Sequence, residues 1–194
     1  MEPRERIIRA ANIKDPLERQ MTVAALIATE LEKKGTKVVL VGGAAVEFYT
    51  AANYLTRDID FIATRPDDIK EIMTCLGFKN EGGTWYLPEN PNIVVEFPKG
   101  PLDADWNRVQ NVMLPDGTNV NVIGIEDIII DRACAIKHWN DPEEWLNYLM
   151  VGNFERIDWN YLSRRSREMD CVEIINKSKE WAKIQRETFL NENV

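Results

Sequence analysis

Two aspartates spaced two residues apart are the part of this sequence best suited to chemistry. Asp58 and Asp60 lie in the segment Asp58–Ala63, whose apolar residues have the alternation of a strand. Alternate side chains of a strand share a face, so both carboxylates would point the same way while Ile59 and Phe61 enter a core. Neighbouring carboxylates repel each other unless a cation lies between them. Oxygen-only ligands suit Mg²⁺, with Mn²⁺ as an alternative.

A pair of glycines precedes these aspartates and suits phosphate. Val38–Val41 resembles a buried strand, and Gly42 and Gly43 follow it directly. Glycine permits backbone angles and close approaches that a side chain would block. If a helix begins at Ala44, its free amides form a site for phosphate oxygens. A phosphate-binding turn beside a metal-binding strand is the minimum equipment for phosphoryl or nucleotidyl transfer.

Each of these two patterns also has an ordinary structural explanation. Most Gly-Gly turns only connect two elements, and an Asp-x-Asp on a strand edge is common by chance. The functional interpretation depends on their order, their spacing and their strand–helix–strand context taken together.

A third carboxylate, Glu96, lies in the alternating apolar segment 93–97. The alternation predicts that Glu96 faces away from its apolar neighbours, and an unpaired charge is costly to bury. Glu96 is therefore either exposed on the outer face of the sheet or placed beside the two aspartates as a metal ligand. Asp103 and Asp105 are weaker competitors, because the proline-containing segment 98–101 predicts a loop.

The glycine pair and the segment 56–60 together resemble the signature of the nucleotidyltransferase superfamily related to polymerase beta. That signature is a Gly-Gly or Gly-Ser turn, then Asp-x-Asp, then a third carboxylate on a later strand, usually Asp, where this chain has Glu. The resemblance implies that three acids bind metal and catalyse: Asp58, Asp60 and Glu96. It implies that the nucleotide is bound by Gly42, Gly43, Thr56 and Arg57.

The gap between the glycines and the aspartates is similar to that of AbiEii-type toxins. The segments 95–102 and 126–141 resemble a bacterial and archaeal family of small nucleotidyltransferase-like proteins. These resemblances cover roughly residues 20 to 160. The related toxins place a Lys or Arg and an Asp on equivalent helices, which makes Lys137 a candidate for nucleotide binding and Arg132 and Asp141 weaker candidates.

Composition limits the class of protein. The net charge of −8 argues against broad electrostatic binding to nucleic acid. Two arginine clusters are either solvated faces or a local RNA site: Arg4, Arg6 and Arg9, and Arg164, Arg165 and Arg167. The single histidine sets aside histidine-dependent zinc sites and Ser-His-Asp triads unless His138 itself serves. No apolar run could span a membrane, no signal peptide is recognisable, and the three scattered cysteines form no disulfide framework, so we expect a cytoplasmic protein.

Hydrophobic periodicity predicts an α/β (α+β) architecture. We predict helices over 16–34, from 44 to 50, and over 66–76, and strands over 38–41, 58–63, 78–80, 84–87 and 93–97; after residue 123 the composition shifts toward helix. Four further helices are predicted: one over 125–139, one that begins with Asp141 as its N-cap and Pro142 in its first turn, one after residue 158, and one over 169–190. We therefore expect a nucleotidyltransferase-like mixed sheet flanked by helices over 1–124, including an N-terminal helix, followed by a helical segment over 125–194 packed on this core.

The predicted activity is attack by an acceptor hydroxyl on the α-phosphorus of a nucleoside triphosphate, supported by Mg²⁺. The acceptor is an RNA, a protein or a small molecule. Two alternatives remain at this point: a tRNA-modifying toxin paired with an antitoxin, and a catalytically silent domain that binds nucleotide or a protein partner.

Overall fold

The computed structural model describes residues 1–51 and 56–192, with side chains up to residue 189. The chain divides into two compact units, Met1–Ile123 and Gly124–Val194. No helix among the described residues is long and apolar enough to cross a bilayer.

The described residues of the first unit form four α-helices. They are α1 (Pro3–Ala10), α2 (Pro16–Glu32), α3 (Gly42–Tyr49) and α4 (Ile69–Cys75). Helix α2 begins where the Asp15 carboxylate accepts a hydrogen bond from the Glu18 N–H at 2.7 Å, with proline in the first turn. Helix α1 was not predicted as a separate element. It is short and mostly polar, and within it only Ile7 and Ala10 are buried.

Seven strands of the first unit form one mixed sheet. They are β1 (Val38–Val41), β2 (Asp58–Ala63), β3 (Lys79–Glu81), β4 (Thr84–Leu87), β5 (Asn90–Glu96), β6 (Gln110–Met113) and β7 (Asn119–Val122). Their order is β3-β4-β5-β2-β1-β7-β6. The pairs β2–β5 and β1–β7 are parallel and the other neighbours are antiparallel. The mixed sheet flanked by helices that the sequence predicts is confirmed.

Strand β2 lies in the middle of the sheet and separates two environments. Ile59 and Phe61 are fully buried, while Asp58 is exposed and Asp60 is half-buried. Helix α2 packs on β1 and β7, and its Ile27 is also fully buried. One face of β2 is thus sealed by the core, and the acids lie on the other face.

The second unit is helical. It consists of α5 (Ile125–Trp139), α6 (Glu143–Asn153), α7 (Trp159–Glu168) and α8 (Val172–Glu192). Helix α5 has the predicted bounds and ends at Asn140, which adopts a left-handed conformation with φ of 58°. Asp141 was expected to cap α6, but the residue before that helix is Pro142. Asp158 caps α7 by accepting backbone hydrogen bonds from Asn160 and Tyr161.

Candidate active site

The backbone of β2 places the two aspartates on the same face. Asp58 and Asp60 alternate with the buried residues Ile59 and Phe61. A strand has a side-chain period of two, so this burial pattern leaves both carboxylates on the face opposite the core. The predicted strand and its predicted faces are confirmed.

The register of the sheet brings Glu96 beside Asp60. Strands β2 and β5 run parallel, with Asp60 paired to Glu96 and Ile59 paired to Val95. Paired residues on adjacent strands share a face and lie about 4.8 Å apart in the sheet. Val95 is fully buried whereas Glu96 is half-buried, so Glu96 is on the same face as Asp60.

The first glycine of the pair lies directly against the Asp60 side chain. Gly42 has a φ of +59°, in the left-handed region. A Cβ atom added there would overlap the Asp60 carboxylate, at 3.0 Å from its Cγ and 3.2 Å from its Cβ. A turn was predicted before a helix starting at Ala44. The structure corrects this, because Gly42 and Gly43 are themselves the first two residues of α3. The N–H groups at the beginning of this helix, which have no partner within the helix, therefore lie beside Asp60.

A hydroxyl group holds the Glu96 carboxylate. The Thr84 hydroxyl, on the neighbouring strand β4, donates a hydrogen bond to Glu96 Oε1 at 2.7 Å. This contact restricts the rotation of the side chain while leaving it on the face that Asp60 occupies. Sequence reasoning missed Thr84, since nothing in the local pattern indicates which residue pairs across the sheet.

Thr56, which immediately precedes the Arg57-Asp58 part of the motif, is held on three sides. Its N–H donates to Glu47 Oε2 at 3.1 Å, and its carbonyl accepts from Gln20 Nε2 at 2.8 Å. Its hydroxyl accepts from the N–H of Asp58 at 3.3 Å. Arg57 is exposed. The Thr56 contacts show how the entry to β2 is fixed.

Glu47 is a buried acid in an otherwise apolar helix. Its exposed fraction is 1%, and burial raises the pKa of its carboxyl group, an effect opposed by the Thr56 N–H and by the nearby positive charge of Arg19. Its Oε1 has no hydrogen-bond partner in the described part of the chain. Sequence reasoning missed Glu47, although a glutamate among Ala, Val and Phe was a usable signal.

The donor set on this face is chemically suited to a hard cation, since it consists of carboxylate oxygens. Asp58, Asp60 and Glu96 share the face, and Asp60 and Glu96 are register partners. Within residues 1–51 and 56–192, however, no three His, Cys, Asp or Glu side chains converge closely enough to hold a metal ion. The backbone therefore places the three predicted ligands on one face. To hold a metal ion, the side chains of Asp58, Asp60 and Glu96 would have to turn toward a common point.

The two competing acids lie on the segment between β5 and β6. Asp103 is exposed. The Asp105 carboxylate accepts from the N–H of Asn107 at 2.9 Å and so caps the short 3-10 helix Trp106–Arg108. Asp105 thus has a local structural role.

The remaining candidates belong to the second unit. The Arg132 guanidinium binds the carboxylate of Asp131 and lies 3.8 Å from that of Asp141. Lys137 Nζ donates to both the carbonyl and the carboxylate of Asp170, at 2.7 and 2.6 Å. The pairing with Lys137 lowers the pKa of the Asp170 carboxyl group. Roles of Arg132, Lys137 and Asp141 in nucleotide binding stay predictions.

Comparison with solved structures finds similar chains at low sequence identity. The crystal structure of an antigenic nucleotidyltransferase-like protein from Paracoccidioides brasiliensis is 16% identical, with a TM-score of 0.52 over 71% of this chain and 76% of that one. The solution structure of the antibiotic-resistance factor ANT(2'')-Ia is 11% identical, with a TM-score of 0.48 over 86% of this chain and 92% of that one. At 16% identity, the likeness to the Paracoccidioides brasiliensis protein concerns the fold and not the substrate.

No protein of curated function matches the sequence. A family model does match, over residues 18–192, and its description is "Nucleotidyltransferase of unknown function (DUF6036)". The match covers both the mixed sheet with its carboxylate face and the helical unit. This chain therefore belongs to that family of nucleotidyltransferases.

Proposed function

We propose that the protein transfers a nucleoside monophosphate from a nucleoside triphosphate to an acceptor hydroxyl, with Asp58, Asp60 and Glu96 as the reacting acids. The observation that carries this proposal is the meeting of three elements at Asp60. Gly42 lies against its side chain, and Glu96 is its register partner on the next strand. The membership in a nucleotidyltransferase family supports the same reaction class.

Each residue has a distinct part in the proposed reaction. The amides of Gly42 and Gly43 at the start of α3 bind phosphate oxygens and orient the α-phosphorus. Asp58 and Asp60 hold Mg²⁺, which when bound neutralises phosphate charge and lowers the pKa of the acceptor hydroxyl. Glu96 either completes the ligand set or accepts the proton of that hydroxyl as general base. The acceptor oxygen bonds to the α-phosphorus as the bond to pyrophosphate breaks.

The acceptor decides between the remaining alternatives. A tRNA acceptor would favour the AbiEii-like toxin interpretation, with an antitoxin as partner. A protein or small-molecule acceptor would favour a modifying enzyme of another kind. The identity of the base is a separate unknown, so the four triphosphates need to be compared directly.

Incubation with each α-labelled triphosphate, Mg²⁺ and total cell RNA, total cell protein or the small-molecule fraction of a cell extract tests the proposal. We expect label in a macromolecular or small-molecule product with one triphosphate, and none when Asp60→Asn replaces the wild type. Asp105→Asn is a matched control, because Asp105 caps a local turn. Absence of label with all four triphosphates and every acceptor fraction, or equal labelling by Asp60→Asn, would contradict the proposed function.

A further inference from the structure

Helix α3 contacts the chain around the acid pair at two places. At its first residue, Gly42 lies against the side chain of Asp60. Five residues later, Glu47 accepts the hydrogen bond of the Thr56 N–H, just ahead of Asp58. One helix therefore contacts the chain both at Asp60 and two residues ahead of Asp58.

The contact between Glu47 and Thr56 requires polar side chains to be buried away from water, which lowers the stability of the fold. Glu47 is 1% exposed and Gln20 is 6% exposed, so both polar side chains are almost completely removed from water. Glu47 Oε1 and Gln20 Oε1 have no hydrogen-bond partner within the described residues. A buried polar atom without a partner costs stability. An apolar side chain at position 20 or 47 would avoid this loss of stability. The presence of two polar side chains is explained if their hydrogen bonds to Thr56 have a role.

We infer that Glu47 and Gln20 are positioning residues of the proposed nucleotidyl transfer, acting through the backbone of Thr56 on the metal-binding acids. Glu47 holds the N–H of Thr56 and Gln20 holds its carbonyl, so the peptide plane on each side of this residue is fixed. The Thr56 hydroxyl then accepts the N–H of Asp58. This inference rests on the proposed function, because it concerns the placement of that site's acids.

The expected effect follows from where each residue acts. Loosening Thr56 displaces Asp58 and Asp60 while leaving the amides of Gly42 and Gly43 at the start of α3. A displacement of about 1 Å can reduce the rate roughly a hundredfold. The triphosphate should still bind through the helix amides, so kcat and the affinity for metal should fall while the KM for triphosphate changes little.

Two substitutions at the same position separate positioning from packing. Glu47→Gln keeps an oxygen that accepts the Thr56 N–H, whereas Glu47→Met has a similar length and offers only a weakly accepting thioether sulfur. Gln20→Met tests the second contact. Leu31→Ala, a change at a fully buried residue of α2, controls for a general loss of stability. All variants are assayed at a temperature at which each is fully folded.

We expect Glu47→Gln to keep kcat and Mn²⁺ affinity, measured by electron paramagnetic resonance, near those of the wild type. We expect Glu47→Met and Gln20→Met to lower kcat by about ten- to a hundredfold and to weaken Mn²⁺ binding, and Leu31→Ala to change neither. Equal impairment by Glu47→Gln and Glu47→Met, full activity of Glu47→Met, or matching losses in Leu31→Ala would overturn the inference.

Amide hydrogen exchange separates this inference from the proposed function. Protection of the Thr56 N–H should be lost in Glu47→Met and retained in Glu47→Gln, whether or not the wild type turns over. A wild type with neither turnover nor Mn²⁺ binding would overturn the proposed function and, with it, a catalytic purpose for the Thr56 contacts. Unchanged Thr56 protection in Glu47→Met would overturn the positioning role alone.

Discussion

Gly42→Ala should damage both the fold and the proposed site. The backbone at Gly42 has a φ of +59°, and a left-handed conformation costs an L-residue about 1–2 kcal/mol. The added Cβ would also overlap the Asp60 carboxylate, so either the helix start or the aspartate must move. We therefore expect a loss of stability larger than the backbone cost alone, together with loss of transfer activity.

Gly82→Ala provides a matched control for this prediction. Gly82 has a φ of +63°, close to that of Gly42, but a Cβ added there would meet nothing within 4 Å. The stability that Gly82→Ala loses should be limited to the backbone cost of about 1–2 kcal/mol, and its activity should be retained. Urea denaturation and turnover of both variants give the comparison. Equal stability losses combined with full activity in Gly42→Ala would refute the close approach of Gly42 to Asp60.

Three further predictions concern the surrounding residues. Asp58→Asn should abolish transfer while leaving the metal-free protein as stable or more stable in urea denaturation, because it removes repulsion between like charges; marked destabilisation would contradict this. Glu96→Gln should lower kcat by at least about a hundredfold, whereas Asp105→Asn should not; steady-state kinetics that show the reverse would mean that the third acid is misassigned. Burial raises the pKa of Glu47 in the folded protein, so above the unfolded pKa of about 4.3 the native state binds more protons and stability falls as pH rises. Glu47→Gln should remove this fall. Its stability relative to the wild type, measured by urea denaturation from pH 4 to 8, should therefore increase with pH until the pH exceeds the pKa of Glu47 in the folded protein. A stability difference that stays constant over this range would contradict a raised pKa.

The sequence predicts those elements whose local pattern is strong. Strands β1 and β2 and helix α5 have the predicted bounds, because β1 is a continuous apolar run, β2 alternates and α5 carries one apolar stripe. The edge strand β6 was not predicted. It contains polar residues, and its Met113 is 74% exposed, so it lacks a clear buried face. Elements whose formation depends on a partner strand leave little local signal.

The arrangement of the site was only partly predictable. The alternation around Glu96 gave the face of its strand, but the pairing of Asp60 with Glu96 is a long-range contact between β2 and β5. No local rule specifies such a register. The same holds for Thr84, which reaches Glu96 from β4, and for Gln20, which reaches Thr56 from α2. Scattered cysteines without metal or disulfide spacing are expected to be buried small apolar residues, but of the three Cys171 alone is buried, Cys134 is half-buried and Cys75 is exposed.

Thermal unfolding with Mg²⁺ and each nucleoside triphosphate tests the central claim most directly, that Asp58, Asp60 and the start of α3 bind metal and triphosphate together. Ligand at about a hundred times its dissociation constant should stabilise the wild type by roughly 2.7 kcal/mol. Mg²⁺ or triphosphate alone should give a smaller shift, and Asp60→Asn with both should shift no more than the wild type does with triphosphate alone. A melting curve of the wild type that is unchanged by Mg²⁺ with all four triphosphates would contradict the claim.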